Sequence, residues 1–303
     1  MPQFYSNGKL LITGEYTVLD GAFALAVPTV FGQYLTLVEN NKPNISWQSL
    51  DLNDKVWFET VLNFDGQTIS SNKPDDHIAK TLVNIFQVAQ QLNPKFLLPQ
   101  RGFDMSSKLT FNRHWGLGSS STLINNIANW AKVDAYELLS KTFGGSGYDI
   151  ACAQHDTAIT YQLKNTTERT VTTQNFNPSF KTQLYFVYLN KKQNSRQAIA
   201  HYQVNRGNIQ SAIDDISGIT KELLICKDTQ SFDQLITSHE GIISKLLNLP
   251  PVKEQYFKDF AGSIKSLGAW GGDFIMVRSG ENPENYFKSK GFEIVIPFSE
   301  MVK

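Results

Sequence analysis

The sequence GLGSSST at residues 116–122 lies between a predicted strand and a predicted helix. Its glycines, Gly116 and Gly118, permit positive φ angles and a close approach of the backbone to a ligand. The serines that follow place hydroxyls and backbone N–H groups at the positive end of the helix, which attracts anions. The pattern therefore predicts a phosphate-binding loop, although an ordinary serine cap after a glycine turn looks the same. It is not a Walker A loop, because the chain contains no Gly-x-x-x-x-Gly-Lys-Ser/Thr pattern.

Three other glycine-containing segments accompany this loop, and they read GKLLITGEY from Gly8, GGSGYDIAC from Gly144 and GAWGGD from Gly268. The first puts Lys9 inside a predicted strand and Glu15 just after its end. The second places Asp149 behind a glycine-rich turn, where backbone amides can meet an anion and one carboxylate can point at it. Taken singly, these features also fit an exposed strand lysine, a helix-capping aspartate and a helix C-cap.

The overall composition excludes several classes of protein. The 303 residues include 28 basic and 28 acidic side chains, and this balance argues against a nucleic-acid partner, which needs a surplus of Lys and Arg. No apolar run approaches the ~20 residues that span a bilayer, and the N-terminus has no basic segment followed by an apolar one. We therefore expect a cytoplasmic protein with no nucleic-acid partner and no membrane partner. The sequence does not distinguish a monomer from a homodimer.

The hydrophobic pattern predicts an α+β protein, because strands are grouped and do not alternate strictly with helices. A helix over 75–92 has Asp75 or Asp76 as its cap. Further helices are expected over 119–132, 196–205, 208–226, 229–248 and 252–266, and strands over 4–13, 30–38, 44–49, 55–64, 107–112, 157–163, 183–189, 273–278 and 292–297. The polar stretch 164–181 predicts a boundary between two domains, 1–170 and 171–303.

In their order and spacing, the four glycine segments resemble the motifs of the GHMP kinases, from residue 6 to about residue 278. That resemblance implies two lobes, an N-terminal lobe like ribosomal protein S5 and a ferredoxin-like C-terminal lobe. Within the family, the closest likeness is to the phosphomevalonate kinases, because Tyr16 stands where mevalonate kinases usually have His and GSGYDIAC looks like the catalytic segment. Three positions depart from the family pattern, namely Trp270, which stands in place of Gly, and the pair Gly147-Tyr148.

The resemblance implies that the protein uses ATP and Mg²⁺. ATP phosphates would lie along Gly116, Leu117, Gly118, Ser119, Ser120 and Ser121. Ser120 matches the serine that contacts Mg²⁺, Asp149 the catalytic aspartate and Lys9 the lysine near it. Contacts with the phosphoryl acceptor are expected from Glu15, Ser146, Gly147, Ser195, Arg196, Gly271 and Gly272. The family often has a glutamate as second metal ligand, but that position is Leu138 here, with Glu137 beside it.

The expected function is ATP-dependent phosphorylation of phosphomevalonate in the mevalonate branch of isoprenoid synthesis. One alternative is a kinase for an alcohol acceptor, such as mevalonate, a sugar or homoserine. Diphosphomevalonate decarboxylase also has this fold, but GLGSS is the kinase-like form of the loop. A protein of a different class, one that binds a nucleotide without catalysis, stays open as an alternative because the indole of Trp270 could crowd its own glycine segment, GAWGGD.

Overall fold

The computed structural model describes residues 1–65, 68–97, 101–165, 167–192 and 195–303; the side chains of Ser195, Arg196 and Asn205 lie outside this description. The strands are β1 (Gln3–Leu11), β2 (Ala24–Asn40), β3 (Asn44–Leu50), β4 (Val56–Phe64), β5 (Ile69–Ser71), β6 (Gly102–Leu109), β7 (Ile159–Leu163), β8 (Arg169–Thr173), β9 (Leu184–Tyr188), β10 (Ser263–Ser266), β11 (Phe274–Arg278) and β12 (Val295–Pro297). The helices are α1 (His77–Leu92), α2 (Ser119–Ala131), α3 (Ala135–Thr142), α4 (Tyr148–Gln154), α5 (Ser195–Asn205), α6 (Gln210–Ile225), α7 (Thr229–Leu247), α8 (Val252–Tyr256), α9 (Glu284–Ser289) and α10 (Phe298–Met301). Within the described ranges, no helix is both long enough and apolar enough to cross a bilayer.

The chain forms two compact units, each assembled from separate segments. The first unit contains Met1–Gly8, Phe31–Arg113 and Leu117–Gln154, and the second contains Lys9–Val30, His114–Gly116 and His155–Lys303. Strands β1 and β2 contribute residues to both units. The expected division into domains 1–170 and 171–303 stays a prediction.

In the first unit, a sheet packs against helices. Its strand order is β5-β4-β3-β6-β2, with β3 and β6 parallel and the other neighbours antiparallel. Apolar side chains of α1, α2 and α3 fill one core with those of the sheet, and Trp47 and Phe86 meet edge to face within it. The carboxylate of Asp76 caps α1 by accepting hydrogen bonds from the N–H groups of Ile78 and Ala79 at 2.7 and 3.0 Å. The predicted cap is confirmed.

In the second unit, an antiparallel sheet has the strand order β10-β11-β9-β12, and α7 contacts β10. The first residues of β2 pair with β7, which pairs with β8. The prediction of a helix over 252–266 is wrong, because α8 ends at Tyr256 and Ser263–Ser266 forms β10. Four backbone pairings with β11 fix this strand, so tertiary pairing overrides the helical pattern of the sequence.

Candidate functional site

The predicted phosphate loop leads directly into α2. Gly118 precedes the helix with φ 88°, a left-handed conformation that suits glycine. No side chain of the described residues caps this end of α2, and its first turn carries no acidic residue. Ser120 is exposed and Ser119 is half-buried. The first N–H groups of a 13-residue helix, with two accessible hydroxyls beside them, can therefore bind an anion.

Asp149 lies next to this turn within the first unit. It belongs to the first turn of α4, which follows a loop in which Gly144, Gly145 and Gly147 all have positive φ. The Ser121 hydroxyl donates a hydrogen bond to Asp149 Oδ2, and the Ile150 N–H donates to Oδ1 at 3.1 Å. The structure thus brings together two of the residues that the sequence predicts for the site.

Lys9 belongs to the second unit, together with the first glycine of the loop. Its Nζ donates a hydrogen bond to the Gly116 carbonyl at 3.1 Å. Gly116 has φ 68°, and a Cβ atom there would lie 2.4 Å from Cγ of Asp273. Only glycine meets both the backbone and the steric requirement, because the buried Asp273 carboxylate occupies the space beside it.

The glycine segment GAWGGD, residues 268–273, turns sharply ahead of β11. Gly268 and Gly271 have positive φ, and the Gly272 N–H donates to the Ala269 carbonyl at 3.2 Å. The Trp270 indole is buried in an apolar cluster that includes Tyr16, Tyr202, Ile216, Ile219, Ile243 and Leu247. Its Nε1 donates to the Pro250 carbonyl at 3.2 Å. The indole therefore anchors this segment to the core of the second unit.

Glu15 lies in a buried ionic cluster of the second unit. Glu15 Oε1 accepts a hydrogen bond from Nζ of Lys265 at 2.6 Å, and Glu240 Oε1 lies 3.6 Å from the same Nζ. His239 Nε2 accepts the Gly14 N–H at 3.0 Å and lies 3.3 Å from Glu15 Oε2. The sequence prediction was a substrate contact for Glu15; the structure shows a carboxyl that is 2% exposed and paired with a lysine.

Burial sets the protonation of this cluster. Desolvation raises the pKa of Glu15 from 4.5 to about 7, although the charge of Lys265 acts in the opposite direction. Desolvation also lowers the pKa of His239 well below its ordinary value, with Lys265 adding to the effect. His239 is therefore a neutral imidazole, and because Nε2 accepts the Gly14 N–H, its proton lies on Nδ1.

The other predicted residues differ in how well the structure defines them. Ser146 is buried in the loop before α4. The side chains of Ser195 and Arg196, the proposed anion site at the start of α5, lie outside the described residues. Leu138 is fully buried in the core, whereas the exposed Glu137 lies 3.9 Å from Lys141 on the surface of α3. Leu138 has no atom that can ligate a metal, and the second metal ligand stays unassigned.

The donor set around the loop fits a magnesium ion that is held mainly by nucleotide phosphates. Among the described residues, no group of three His, Cys, Asp or Glu side chains could hold a metal. Mg²⁺ in kinase sites usually keeps several waters and takes few protein ligands besides the substrate phosphates. The exposed hydroxyl of Ser120 is a hard oxygen ligand of the required kind.

The sequence pointed to Asp273 at the end of the segment 268–273 but not to its closeness to Gly116, and it did not point to Lys265 or His239. Lys265 lies within the helix that the sequence predicts over 252–266, so nothing in the sequence indicated a buried strand lysine. A lysine in a buried strand needs a partner, and the partner Glu15 is 250 residues away in the chain. His239 gave no signal, because it has no metal-type spacing with another histidine.

The two units together have the two-domain fold of the GHMP kinases, and the fold class predicted from the sequence is confirmed. The mevalonate kinase of Methanococcus jannaschii superposes with a TM-score of 0.70 at 17% identity, over 97% of this chain and 96% of that one. The phosphomevalonate kinase of Streptococcus pneumoniae, solved with phosphomevalonate and AMPPNP, gives 0.68 at 16% identity, over 97% and 99%. The galactokinase of Lactococcus lactis, solved with galactose, gives 0.64 at 12% identity, over 95% and 88%.

These similarities establish the fold. The proteins named act on different acceptors, so the fold does not select one of them. No protein-family model matches the sequence, and no curated protein matches it.

Proposed function

We propose that the protein is an ATP-dependent kinase that phosphorylates a small metabolite, with phosphomevalonate as its acceptor. The observation that carries the proposal is the uncapped first turn of α2, with Asp149 hydrogen-bonded to Ser121 of the same turn. A helix N-terminus binds the phosphates of a nucleotide, and a carboxylate beside it can orient an acceptor. The kinase fold of the whole chain supports this assignment.

Each residue has a separate role in the proposed reaction. The N–H groups of Ser119, Ser120 and Ser121 bind nucleotide phosphates, and the Ser120 hydroxyl helps to hold Mg²⁺. Mg²⁺, when bound, neutralises part of the phosphate charge. Lys9 supplies further positive charge at the start of the loop, where its Nζ contacts the Gly116 carbonyl. Phosphoryl transfer depends on such charge stabilisation and positioning more than on covalent help from the protein.

The chemistry of the acceptor determines how much Asp149 contributes. An alcohol must lose a proton during attack, and a positioned base contributes roughly 10²–10⁴-fold to that step. A phosphate monoester has a second pKa of about 6 and is already mostly a dianion at neutral pH. For phosphomevalonate, Asp149 mainly orients the acceptor. Ser195 and Arg196 remain a proposed subsite for its phosphate, on sequence grounds alone.

Two other functions are alternatives to the phosphorylation of phosphomevalonate. The fold similarity to a mevalonate kinase favours an alcohol acceptor as strongly as it favours a phosphorylated one. A non-catalytic nucleotide-binding protein was suggested by Trp270, and that argument is weakened because the indole lies in the apolar cluster of the second unit. The retention of Lys9, Ser120 and Asp149 favours an enzyme.

The experiment is a measurement of ADP release from Mg²⁺-ATP, with phosphomevalonate and mevalonate as separate acceptors and a reaction without acceptor as control. We expect turnover that depends on phosphomevalonate. Turnover with mevalonate alone would assign the alcohol-acceptor function. ATP binding without ADP release on either acceptor would contradict both assignments and favour the non-catalytic protein.

A further inference from the structure

The hydroxyl of Ser121 is directed at Asp149 and not back at its own helix. A serine in a helix commonly bonds to the carbonyl four residues earlier, and the next residue, Thr122, does so with the Gly118 carbonyl at 3.2 Å. Ser121 is 4% exposed, so its hydroxyl is removed from water and requires a partner inside the protein. That partner is Asp149 Oδ2, which lies on a different helix.

Asp149 is consequently held at both carboxylate oxygens. The Ile150 N–H donates to Oδ1 from α4, and Ser121 donates to Oδ2 from α2. A carboxylate with one donor can rotate about its Cβ–Cγ bond, whereas two donors from two helices fix its plane. The second donor comes from the turn whose N–H groups we assign to nucleotide phosphates.

We infer that Ser121 is a positioning residue that sets the orientation of the Asp149 carboxylate relative to the phosphate loop. The inference rests on the proposed kinase function. It gives the Ser121 hydroxyl a role of its own, beside the phosphate contact that we propose for the Ser121 N–H. A carboxylate whose plane is fixed in this way can orient an acceptor that needs no deprotonation.

The reaction with such an acceptor balances without a base. An oxygen of the acceptor phosphate dianion forms a bond to the γ-phosphorus of ATP, and the bond from that phosphorus to the β,γ-bridging oxygen breaks. ADP leaves with the electron pair of that bond, and the product is a diphosphate monoester. With an alcohol acceptor the same displacement releases one proton, which Asp149 would have to take.

The test is a double-mutant cycle of Ser121→Ala and Asp149→Asn, with steady-state kinetics on phosphomevalonate and Mg²⁺-ATP. Ser121→Ala should lower kcat about tenfold, because a hydrogen bond to a charged group is lost, and leave KM for ATP unchanged. In the Asp149→Asn background, Ser121→Ala should have almost no further effect on kcat, because the group that it positions is already altered. Ser121→Thr keeps the hydroxyl and should restore most of kcat.

The matched control is Ser107→Ala. Ser107 is also a buried serine of the first unit with a side-chain partner, the Gln33 amide at 2.6 Å. A merely structural loss would lower the unfolding midpoint in both variants without changing kcat of the folded protein. We therefore expect a decrease in kcat for Ser121→Ala and none for Ser107→Ala.

Other results would overturn the inference in recognisable ways. Additive effects of Ser121→Ala and Asp149→Asn on kcat would show that Ser121 does not act through Asp149. A raised KM for ATP with unchanged kcat would make Ser121 a nucleotide ligand instead. If the wild-type protein turns over no acceptor, the proposed function fails and the role of Ser121 fails with it; if wild-type turnover is present and the cycle is additive, only the role of Ser121 fails.

Discussion

The buried carboxyl of Glu15 gives the protein a pH-dependent stability that one substitution should remove. Glu15→Gln replaces the carboxyl by an amide of the same shape. The amide oxygen can still accept the Lys265 hydrogen bond, and the amide, like a protonated carboxyl, carries no charge. The variant therefore imitates the neutral form of Glu15 at every pH.

The magnitude follows from the pKa of Glu15. Its rise from 4.5 to about 7 in the folded protein corresponds to about 3 kcal/mol at ~1.36 kcal/mol for each pH unit. Because the folded state holds the proton more tightly than the unfolded state, this stabilisation is complete below pH 4.5 and is lost as the pH rises through 7. His239 affects stability in the opposite direction. Because its pKa is lowered in the folded protein, the folded state loses stability as the pH falls below 6.5, the ordinary pKa of histidine. Comparing the variant with the wild type largely cancels that contribution.

The assay is urea unfolding of both proteins at several pH values between 5 and 8, with the slope of the free energy against urea checked for constancy. As the pH rises from 5 to 8, the free energy of unfolding of the wild type should fall by about 2–3 kcal/mol relative to that of Glu15→Gln. Glu137→Gln is the control, because Glu137 is exposed on α3 and its pairing with Lys141 is a surface contact. A pH-independent difference between wild type and Glu15→Gln, or one of opposite sign, would refute the assignment of a buried carboxyl with a raised pKa.

Three further substitutions test other parts of the structure. Trp270→Ala should lower the free energy of unfolding by about 3–5 kcal/mol in urea titrations, because it empties a buried site in the apolar cluster; a loss under 1 kcal/mol would contradict the packing described. Gly116→Ala should raise KM for ATP about tenfold or more, because a Cβ would meet the Asp273 carboxylate, whereas Gly218→Ala in α6 meets open space and should leave KM unchanged. Asp149→Asn should lower kcat about 10²–10⁴-fold with an alcohol acceptor and far less with a phosphate monoester; equal losses in kinetic assays with the two acceptors would contradict the role given to Asp149.

Local signals in the sequence predicted the features that depend on neighbouring residues. The start of α1 follows from the capping side chain of Asp76, and the start of α2 at Ser119 follows from the glycine turn directly before it. The positive φ of Gly118 is a conformation that glycine permits without a steric penalty. These features need no knowledge of the rest of the chain.

Long-range pairings could not be predicted in this way. β10 resembles the end of a helix in its sequence, and only its pairing with β11 makes it a strand. The ion pair between Glu15 and Lys265 joins residues 250 positions apart, and the bond between Ser121 and Asp149 joins two helices. The contacts that orient the candidate site belong to this second class, so the sequence suggested the residues of the site but not how they are held.

The most direct test of the proposed function is identification of the product by phosphorus NMR after incubation of the protein with Mg²⁺-ATP and phosphomevalonate. We expect a new diphosphate ester, seen as a pair of coupled phosphorus signals, in an amount equal to the ADP formed. ADP formed from phosphomevalonate without that diphosphate ester would contradict the proposed function. So would turnover with mevalonate alone, seen as a new uncoupled phosphate monoester signal.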